Sequence, residues 1–108
     1  MRSEILEETR KSMIRNFLEI IVLDELRTSS PLSGYDFVDF VRKKFDVLVS
    51  PGTVYSVLYS MERKGLIKNE GDARKRTYTL TDKGKETINT ILNSKEEIHM
   101  YLRCCIGG

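Results

Sequence analysis

The sequence predicts a mainly α-helical protein with a small β-hairpin. Three observations support this prediction: four segments repeat apolar residues every three or four positions, two short β-forming segments flank a turn-forming loop, and capping residues mark several helix ends. The 108 residues are 40% hydrophobic and 31% charged, which is typical of a globular protein and not of a disordered chain. At this length we expect one domain, residues 1–108.

The first helix is predicted to begin after Ser3 and to continue through residues 14–22, where apolar side chains recur at helical spacing. Leu6 and Met13 widen the apolar arc beyond one stripe, which indicates burial on two sides. One side would face the core of the domain, and the other would face a partner subunit. Residues 1–13 are therefore predicted to be a helical extension.

Two further helices have clear start signals. Ser33 can cap the second helix, with Asp36 three residues later completing a capping-box pair. Ser50 can cap the third helix, because Pro51 follows it and proline is favoured at the first helical position. Gly65 is placed to end this third helix near residue 64 in the left-handed conformation.

The outer face of the third helix is the most informative surface in the sequence. It carries hydroxyl, phenol and guanidinium groups without an acid, whereas an ordinary solvated face in so charged a chain would mix Glu with Lys. Such a face indicates contact with DNA, with bases read from its centre and phosphates held at its flanks. The predicted base-reading residues are Ser56, Tyr59, Ser60 and Arg63, and the predicted flanking and helix-start residues are Ser50, Thr53 and Tyr55.

Residues 66–70 and 76–80 read as two short strands joined by a turn-forming loop. Three consecutive cations, Arg74, Lys75 and Arg76, are predicted at the tip of this hairpin. Residues 50–85 hold eight basic and four acidic side chains, although the net charge of the whole chain is only +2. A solvated loop is the alternative, but the polar outer face of the preceding helix, which shows no acid, favours contact of these cations with phosphate.

The last helix is predicted to begin at Thr81-Asp82 and to be amphipathic. Its apolar stripe would either fold back on the core or pair with a second copy, and its length favours pairing. We therefore predict a C-terminal dimerisation helix over residues 83–108. The predicted dimer residues are Leu6, Met13, Phe17, Ile88, Ile91, Leu92, Ile98 and Leu102.

Four sequence motifs narrow the interpretation: PLSGYD at residues 31–36, LVSPGTVY at 48–55, GLI at 65–67 and YTLTDKG at 78–84. With these motifs the chain resembles the PadR family of transcriptional regulators over residues 14–92. The resemblance implies a winged helix-turn-helix core at 14–82, with Tyr55 and its helix on DNA and Arg74, Lys75 and Arg76 in the wing. With one predicted C-terminal helix, the chain resembles a short member of that family.

The resemblance further implies a dimeric, cytoplasmic repressor that leaves double-stranded DNA when a small hydrophobic or aromatic effector binds near the dimer interface. A twofold dimer would favour an inverted-repeat operator. A cavity between Phe17, Ile91 and Ile98 would suit a flat apolar molecule, although core packing explains these residues equally well. The alternative function is a winged-helix module for protein interaction, which would bind no duplex even at low salt.

Other function classes lack the residues that they need. The sequence shows no acid–base pair, glycine-rich phosphate loop or Cys and His pairing, so we expect neither an enzyme nor a cofactor. His99, Cys104 and Cys105 have no metal-ligand spacing, and the adjacent cysteines are either a plain tail or a thiol sensor. The longest apolar run, residues 20–23, is far shorter than the roughly 20 residues of a membrane helix.

Overall fold

The computed structural model describes residues 3–72 and 74–107. The predicted N-terminal extension, hairpin loop and C-terminal helix include residues 1, 2, 73 and 108, which lie outside the described residues. The described chain is mostly helical with a small antiparallel sheet, which confirms the predicted fold class. The elements in chain order are α1 (Glu4–Asn16), α2 (Leu18–Ser29), β1 (Leu32–Ser33), α3 (Gly34–Phe45), α4 (Pro51–Arg63), β2 (Ile67–Asn69), β3 (Thr77–Leu80), α5 (Asp82–Asn93) and α6 (Lys95–Cys105).

The predicted caps of α3 and α4 are confirmed. The Ser33 hydroxyl accepts a hydrogen bond from the Asp36 backbone N–H, and the Asp36 carboxylate accepts one from the Ser33 N–H. The Ser50 hydroxyl accepts the Thr53 backbone N–H at 3.1 Å. Gly65 follows α4 with a φ of 78°, a conformation that glycine adopts without steric cost. These caps fix where the two central helices begin and where α4 ends.

The sheet has the strand order β1-β3-β2, and both pairings are antiparallel. Leu32 of β1 pairs with Tyr78, and Ile67 of β2 pairs with Leu80. β2 and β3 form the predicted hairpin. β1 was not predicted, because two residues are too short to show the alternation of a strand. β1 therefore holds the start of α3 against the hairpin.

Both terminal helices are interrupted, and the prediction of one continuous helix at each end is wrong. Phe17 separates α1 from α2, and its N–H donates to the carbonyls of both Met13 and Ile14. Ser94 separates α5 from α6, and its N–H donates to Ile91 three residues earlier. The predicted C-terminal dimerisation helix is therefore two helices that turn at Ser94.

The core lies between α2, α3, α4, the sheet and α5. Leu58, Met61 and Tyr78 are completely buried there. Ile88 is 1% exposed in this same core, which corrects its prediction as a dimer residue, because its side chain has no surface left for a partner. α1 and α6, in contrast, contain no buried residue.

Candidate nucleic-acid interface

The position of α4 is set by its buried side, which leaves the opposite side free. Val54, Leu58 and Met61 are at most 1% exposed and fix the helix against the core. The polar side chains therefore face outward, as the sequence predicts. Ser56, Tyr59 and Arg63 are exposed, and Ser60, Thr53 and Tyr55 are partly buried at the edges of this face.

Three tyrosines form a row that crosses from α3 to α4. The Tyr35 ring meets the Tyr55 ring edge-on at 6.4 Å between centroids, and Tyr55 lies 6.1 Å from Tyr59. Tyr55 fits because Gly34 lacks a side chain: a Cβ at that position would lie 2.4 Å from the Tyr55 ring. Burial is the largest of the effects that raise the pKa of Tyr55. The Tyr55 phenol is therefore a neutral hydrogen-bonding group at neutral pH.

Tyr35 was missed by the sequence analysis. It is 69% exposed at the start of α3, at the end of the tyrosine row. The signal was present, because the cap at Ser33 starts the helix at Gly34, and helical periodicity then places Tyr35 on the side opposite the buried Phe37. The face therefore extends from α4 onto the first turn of α3.

The N-terminus of α4 presents hydroxyls and no acid. Ser50 and Thr53 share a hydrogen bond of 2.8 Å between their side-chain oxygens, and the first turn contains no acidic residue. The positive end of the helix dipole favours an anion at this turn. Pro51 has no N–H, and the N–H groups of Thr53 and Val54 already donate to Ser50.

The wing loop is shaped by hydrogen bonds to Asp72. One carboxylate oxygen accepts the backbone N–H groups of Arg74 and Lys75 at 2.9 and 3.0 Å. These bonds, with that from Lys75 the larger cause, lower the pKa of Asp72. The side chains of Arg74 and Lys75 are exposed, and neither forms an ion pair with any residue in the described ranges. Their charges are available to a ligand.

Arg76 differs from the two cations before it. Its guanidinium donates to a Glu62 carboxylate oxygen at 2.8 Å and to the phenolic oxygen of Tyr78 at 3.1 Å. It also lies 5.7 Å from the centroid of the Tyr59 ring. The hydrogen bond to Tyr78 is the largest cause that raises the pKa of Arg76. Arg76 is therefore turned toward α4 and away from the predicted tip of the hairpin.

A second candidate site is an apolar groove of about 580 Å³ between α2, α3, α5 and α6. Phe17, Ile91 and Ile98 line it, which confirms the predicted location of a cavity. Asp24 and Lys44 are the charged residues at its α2 and α3 sides. The groove has a volume typical of small-molecule sites, which are mostly about 300 to 1,000 Å³.

The predicted dimer residues other than Ile88 lie on the outside of the protomer or in this groove. Leu6, Phe17 and Leu102 are exposed, whereas Met13, Ile91, Leu92 and Ile98 are partly buried. The sequence analysis missed further exposed apolar residues on the same terminal helices. These are Ile5, Met100 and Tyr101, and Ile106 follows at the end of α6.

Other chemistries find little support in the described residues. No described helix is long and apolar enough to cross a membrane. Among residues 3–72 and 74–107, no three His, Cys, Asp or Glu side chains are grouped as metal ligands. His99, Cys104 and Cys105 are exposed on α6.

Comparison with known proteins places the chain among transcriptional regulators. Residues 22–90 match the model of the transcriptional regulator PadR-like family. No curated protein matches the sequence significantly. A transcriptional regulator from Clostridium thermocellum is similar in structure, with a TM-score of 0.71 and 23% identity over 98% of this chain and 99% of its own.

Two other solved structures have a higher sequence identity to this chain than the Clostridium thermocellum regulator has. A PadR family transcription regulator from hypervirulent Clostridium difficile is 26% identical, with a TM-score of 0.67 over 84% of this chain and 99% of its own. Bacillus subtilis PadR, solved in complex with operator DNA, is 28% identical, with a TM-score of 0.60 over 69% of this chain and 46% of its own.

Proposed function

The chain belongs to the PadR-like family of transcriptional regulators, and we propose that it is a cytoplasmic, dimeric repressor that binds an inverted-repeat operator and leaves it when a small apolar effector binds. The observation that carries the proposal is the outer face of α4, which presents hydroxyls, phenols and a guanidinium and has no acid in its first turn. Glu62, the acidic residue of α4, is paired with Arg76, whereas Arg74 and Lys75 of the wing have no ion-pair partner in the described ranges. A relative, Bacillus subtilis PadR, has been solved with operator DNA.

The proposed contacts with DNA divide into two groups. The centre of the α4 face would read base edges in the major groove, where an arginine paired with guanine contributes about 1 to 3 kcal/mol of discrimination. The start of α4 and the wing tip would hold phosphates, which adds affinity without sequence preference. The proposed base readers are Ser56, Tyr59, Ser60 and Arg63, and the proposed phosphate contacts are Tyr35, Ser50, Thr53, Tyr55, Arg74 and Lys75.

The terminal helices support a dimer. α1 and α6 contain no buried residue. Large apolar side chains are exposed there: Ile5 on α1 is 81% exposed, and Ile106, directly after α6, is 71% exposed. Large apolar side chains exposed on both terminal helices support an interaction site there. A twofold dimer would present two α4 helices about 34 Å apart, one turn of DNA, and would therefore select an inverted repeat.

The groove between α2 and α6 supports an effector that is small and apolar. Its lining is mostly aliphatic and aromatic, with Asp24 and Lys44 able to orient a polar substituent. α6 forms one wall of the groove and also carries the exposed apolar residues of the proposed dimer. A ligand that moved α6 would change the spacing of the two α4 helices and so release the operator.

The division of contacts predicts different losses for two arginines. Arg63→Ala should reduce the preference for the best duplex over base-substituted duplexes by about fivefold to a hundredfold, since a bidentate base contact is lost. Arg74→Ala should weaken all duplexes alike and flatten the slope of log affinity against log salt by about 0.9, the value of one phosphate contact. Fluorescence anisotropy with duplexes selected from a random pool measures both quantities.

Lys11→Ala is the matched control, because Lys11 is a partly exposed cation on α1, away from the α4 face and the wing, that pairs with Glu8. It should change neither quantity. Equal effects of the Arg63 and Arg74 variants on preference would contradict the division of contacts. A wild-type protein that binds no duplex at low salt would instead favour a module for protein interaction.

The dimer is tested on α1, outside the groove. Leu6 is 59% exposed in the protomer, so Leu6→Glu should leave the fold intact. A carboxylate buried in an apolar interface should weaken the dimer about a hundredfold, because its desolvation costs several kcal/mol. Sedimentation equilibrium measures this change. Arg15→Glu, exposed on the side of α1 opposite Leu6, should leave the dimer unchanged; equal weakening by both would argue against an interface at Leu6.

A further inference from the structure

The three consecutive cations of the wing are alike in charge but not in their contacts. Arg74 and Lys75 extend from the loop without an ion-pair partner in the described ranges. Arg76 instead bonds to Glu62, fourteen residues away on α4. In the sequence the three cations are equivalent, whereas in the structure Arg76 differs from Arg74 and Lys75 in its contacts.

The contacts of Arg76 oppose a role in binding phosphate. Glu62 already neutralises its charge at 2.8 Å. A cation in an ion pair gains little by releasing counterions from DNA unless that pair is first broken. An exposed ion pair alone is weak, but here the guanidinium is also bound to the hydroxyl of Tyr78, a fully buried side chain that cannot move aside.

The same contacts connect two parts of the candidate interface. Glu62 and Tyr59 lie on α4, and Tyr78 lies on β3 of the hairpin. Arg76 touches all three, with its guanidinium carbon 5.7 Å from the Tyr59 ring centroid and 5.8 Å from that of Tyr78. Tyr59 is 43% exposed, and both Tyr55 and Arg76 lie close to its ring. Arg76 therefore limits the directions that this ring can take.

We propose that Arg76 is a positioning residue for sequence recognition: it joins the wing to α4 and holds the Tyr59 ring in the direction from which it reads the groove. This inference rests on the proposed function, and it assigns to Arg76 a role different from that of its two neighbours. Arg76 acts through Tyr59 and Glu62 and not through a phosphate. Its loss should therefore change selectivity and not the salt dependence.

Lysine cannot replace arginine in this position. The guanidinium is planar, and here Nε donates to Tyr78 while a terminal nitrogen donates to Glu62. The lysine ammonium is a compact charge on a flexible stem and cannot make both bonds while lying against the two rings. At a phosphate contact, in contrast, lysine and arginine supply the same charge to counterion release. The two roles therefore predict opposite results for a substitution that keeps the charge.

The experiment compares Arg76→Lys with Arg74→Lys as its matched control. Anisotropy is measured on the best duplex from a random pool and on base-substituted duplexes, between about 50 and about 200 mM KCl. In Arg76→Lys, the preference for the best duplex should fall by about two- to fivefold, which corresponds to the free energy of one cation–π contact. The slope of log affinity against log salt should not change. Arg74→Lys should change neither.

Two further variants keep the test independent of folding. Glu62→Gln should release the charge of Arg76, so that affinity for all duplexes rises and the salt slope steepens by up to about 0.9 while selectivity falls. Tyr78→Phe keeps the buried ring and removes only the hydroxyl, and it should lower selectivity less than Arg76→Lys does. Thermal unfolding of each variant confirms that the protein is folded at the assay temperature.

The possible failures are distinguishable. Full selectivity in Arg76→Lys, together with a slope that flattens by about 0.9 in Arg76→Gln, would show a phosphate contact. That result would overturn the inference and leave the proposed function standing. A wild-type protein that binds no duplex would overturn the proposed function and the inference together.

Discussion

The core and the terminal helices use apolar residues in opposite ways. In the core, Leu58, Met61 and Tyr78 are completely covered by other parts of the same chain. In α1 and α6 no residue is buried, and even large apolar side chains face the solvent: Ile5 is 81% exposed and Met100 is 56% exposed. Because apolar surface is stabilising only where it is removed from water, the core is stabilised by contacts within one chain, whereas the terminal helices would gain stability from the partner proposed above.

This difference separates two kinds of stability. The contribution of the core should not depend on protein concentration, because all of its contacts lie within one chain. The contribution of a dimer interface depends on protein concentration through mass action. In the proposed function, a ligand would act without unfolding the core, because the groove lies where the core meets α6, at the boundary between the two regions.

The largest expected effect is in the core. Leu58→Ala should lower the free energy of unfolding by about 2 to 5 kcal/mol, because it leaves a cavity in a fully packed site. Leu102→Ala, at a position on α6 that is 36% exposed, should cost less than about 1 kcal/mol in the protomer. Urea unfolding at several protein concentrations measures both values. Equal losses that shift with concentration in both variants would show that the core also depends on a partner.

A smaller effect is expected where α1 is attached to the core. The Arg10 guanidinium donates to the Phe45 carbonyl and, at 3.2 Å, to the Asp46 carbonyl at the end of α3. It also pairs with Glu7 at 2.7 Å. Arg10→Ala should therefore loosen α1 by about 1 kcal/mol, so that its amide hydrogens exchange about five times faster. The exchange of core amides should not change.

Arg15→Ala is the control for this prediction, because Arg15 is exposed on the same helix. It should leave the exchange of α1 amides as in the wild type. Equal acceleration in both variants would mean that α1 responds to any loss of charge. Acceleration that spreads into α3 and α4 after Arg10→Ala would mean that α1 belongs to the core, and the two regions would then be one.

The sequence predicted best what depends on neighbouring residues. The capping box of Ser33 and Asp36 and the cap at Ser50 are local, so three or four residues determine them. The faces of α4 followed from its period of 3.6 residues. The breaks at Phe17 and Ser94 were missed because the apolar pattern continues through both positions, and helices were therefore predicted to continue as well.

Features that depend on distant partners could not be predicted in this way. β1 exists only because β3 pairs with it. The burial of Ile88 depends on how α5 meets α2, which periodicity does not reveal. The bond between Arg76 and Glu62 joins residues fourteen positions apart, and the sequence shows their charges but not their separation in space. The role of each wing cation therefore required the structure.

The smallest expected effect concerns the wing loop, which depends neither on the core nor on a partner. Its order comes from Asp72, whose carboxylate accepts the N–H groups of Lys75 and Arg74, and these bonds lower its pKa. A carboxyl whose pKa is lower in the folded than in the unfolded protein stabilises the folded loop. This stabilisation is complete above the unfolded pKa of about 3.9, and it is lost as the pH falls through the folded pKa. The loop should thus remain ordered from neutral pH to about pH 4 and loosen below it, before the core does.

Amide exchange at Arg74 and Lys75 across this range of pH measures the loosening, after correction for the intrinsic dependence of exchange on pH. Asp72→Asn keeps a carbonyl oxygen but no charge, so its loop should exchange faster at neutral pH and show no further loosening in acid. Asp82→Asn, at the start of α5, serves as the control and should leave these two amides unchanged. If protection of both amides is the same in wild type and Asp72→Asn at every pH, the wing is held by the core, and the molecule has no region that is ordered by polar contacts alone.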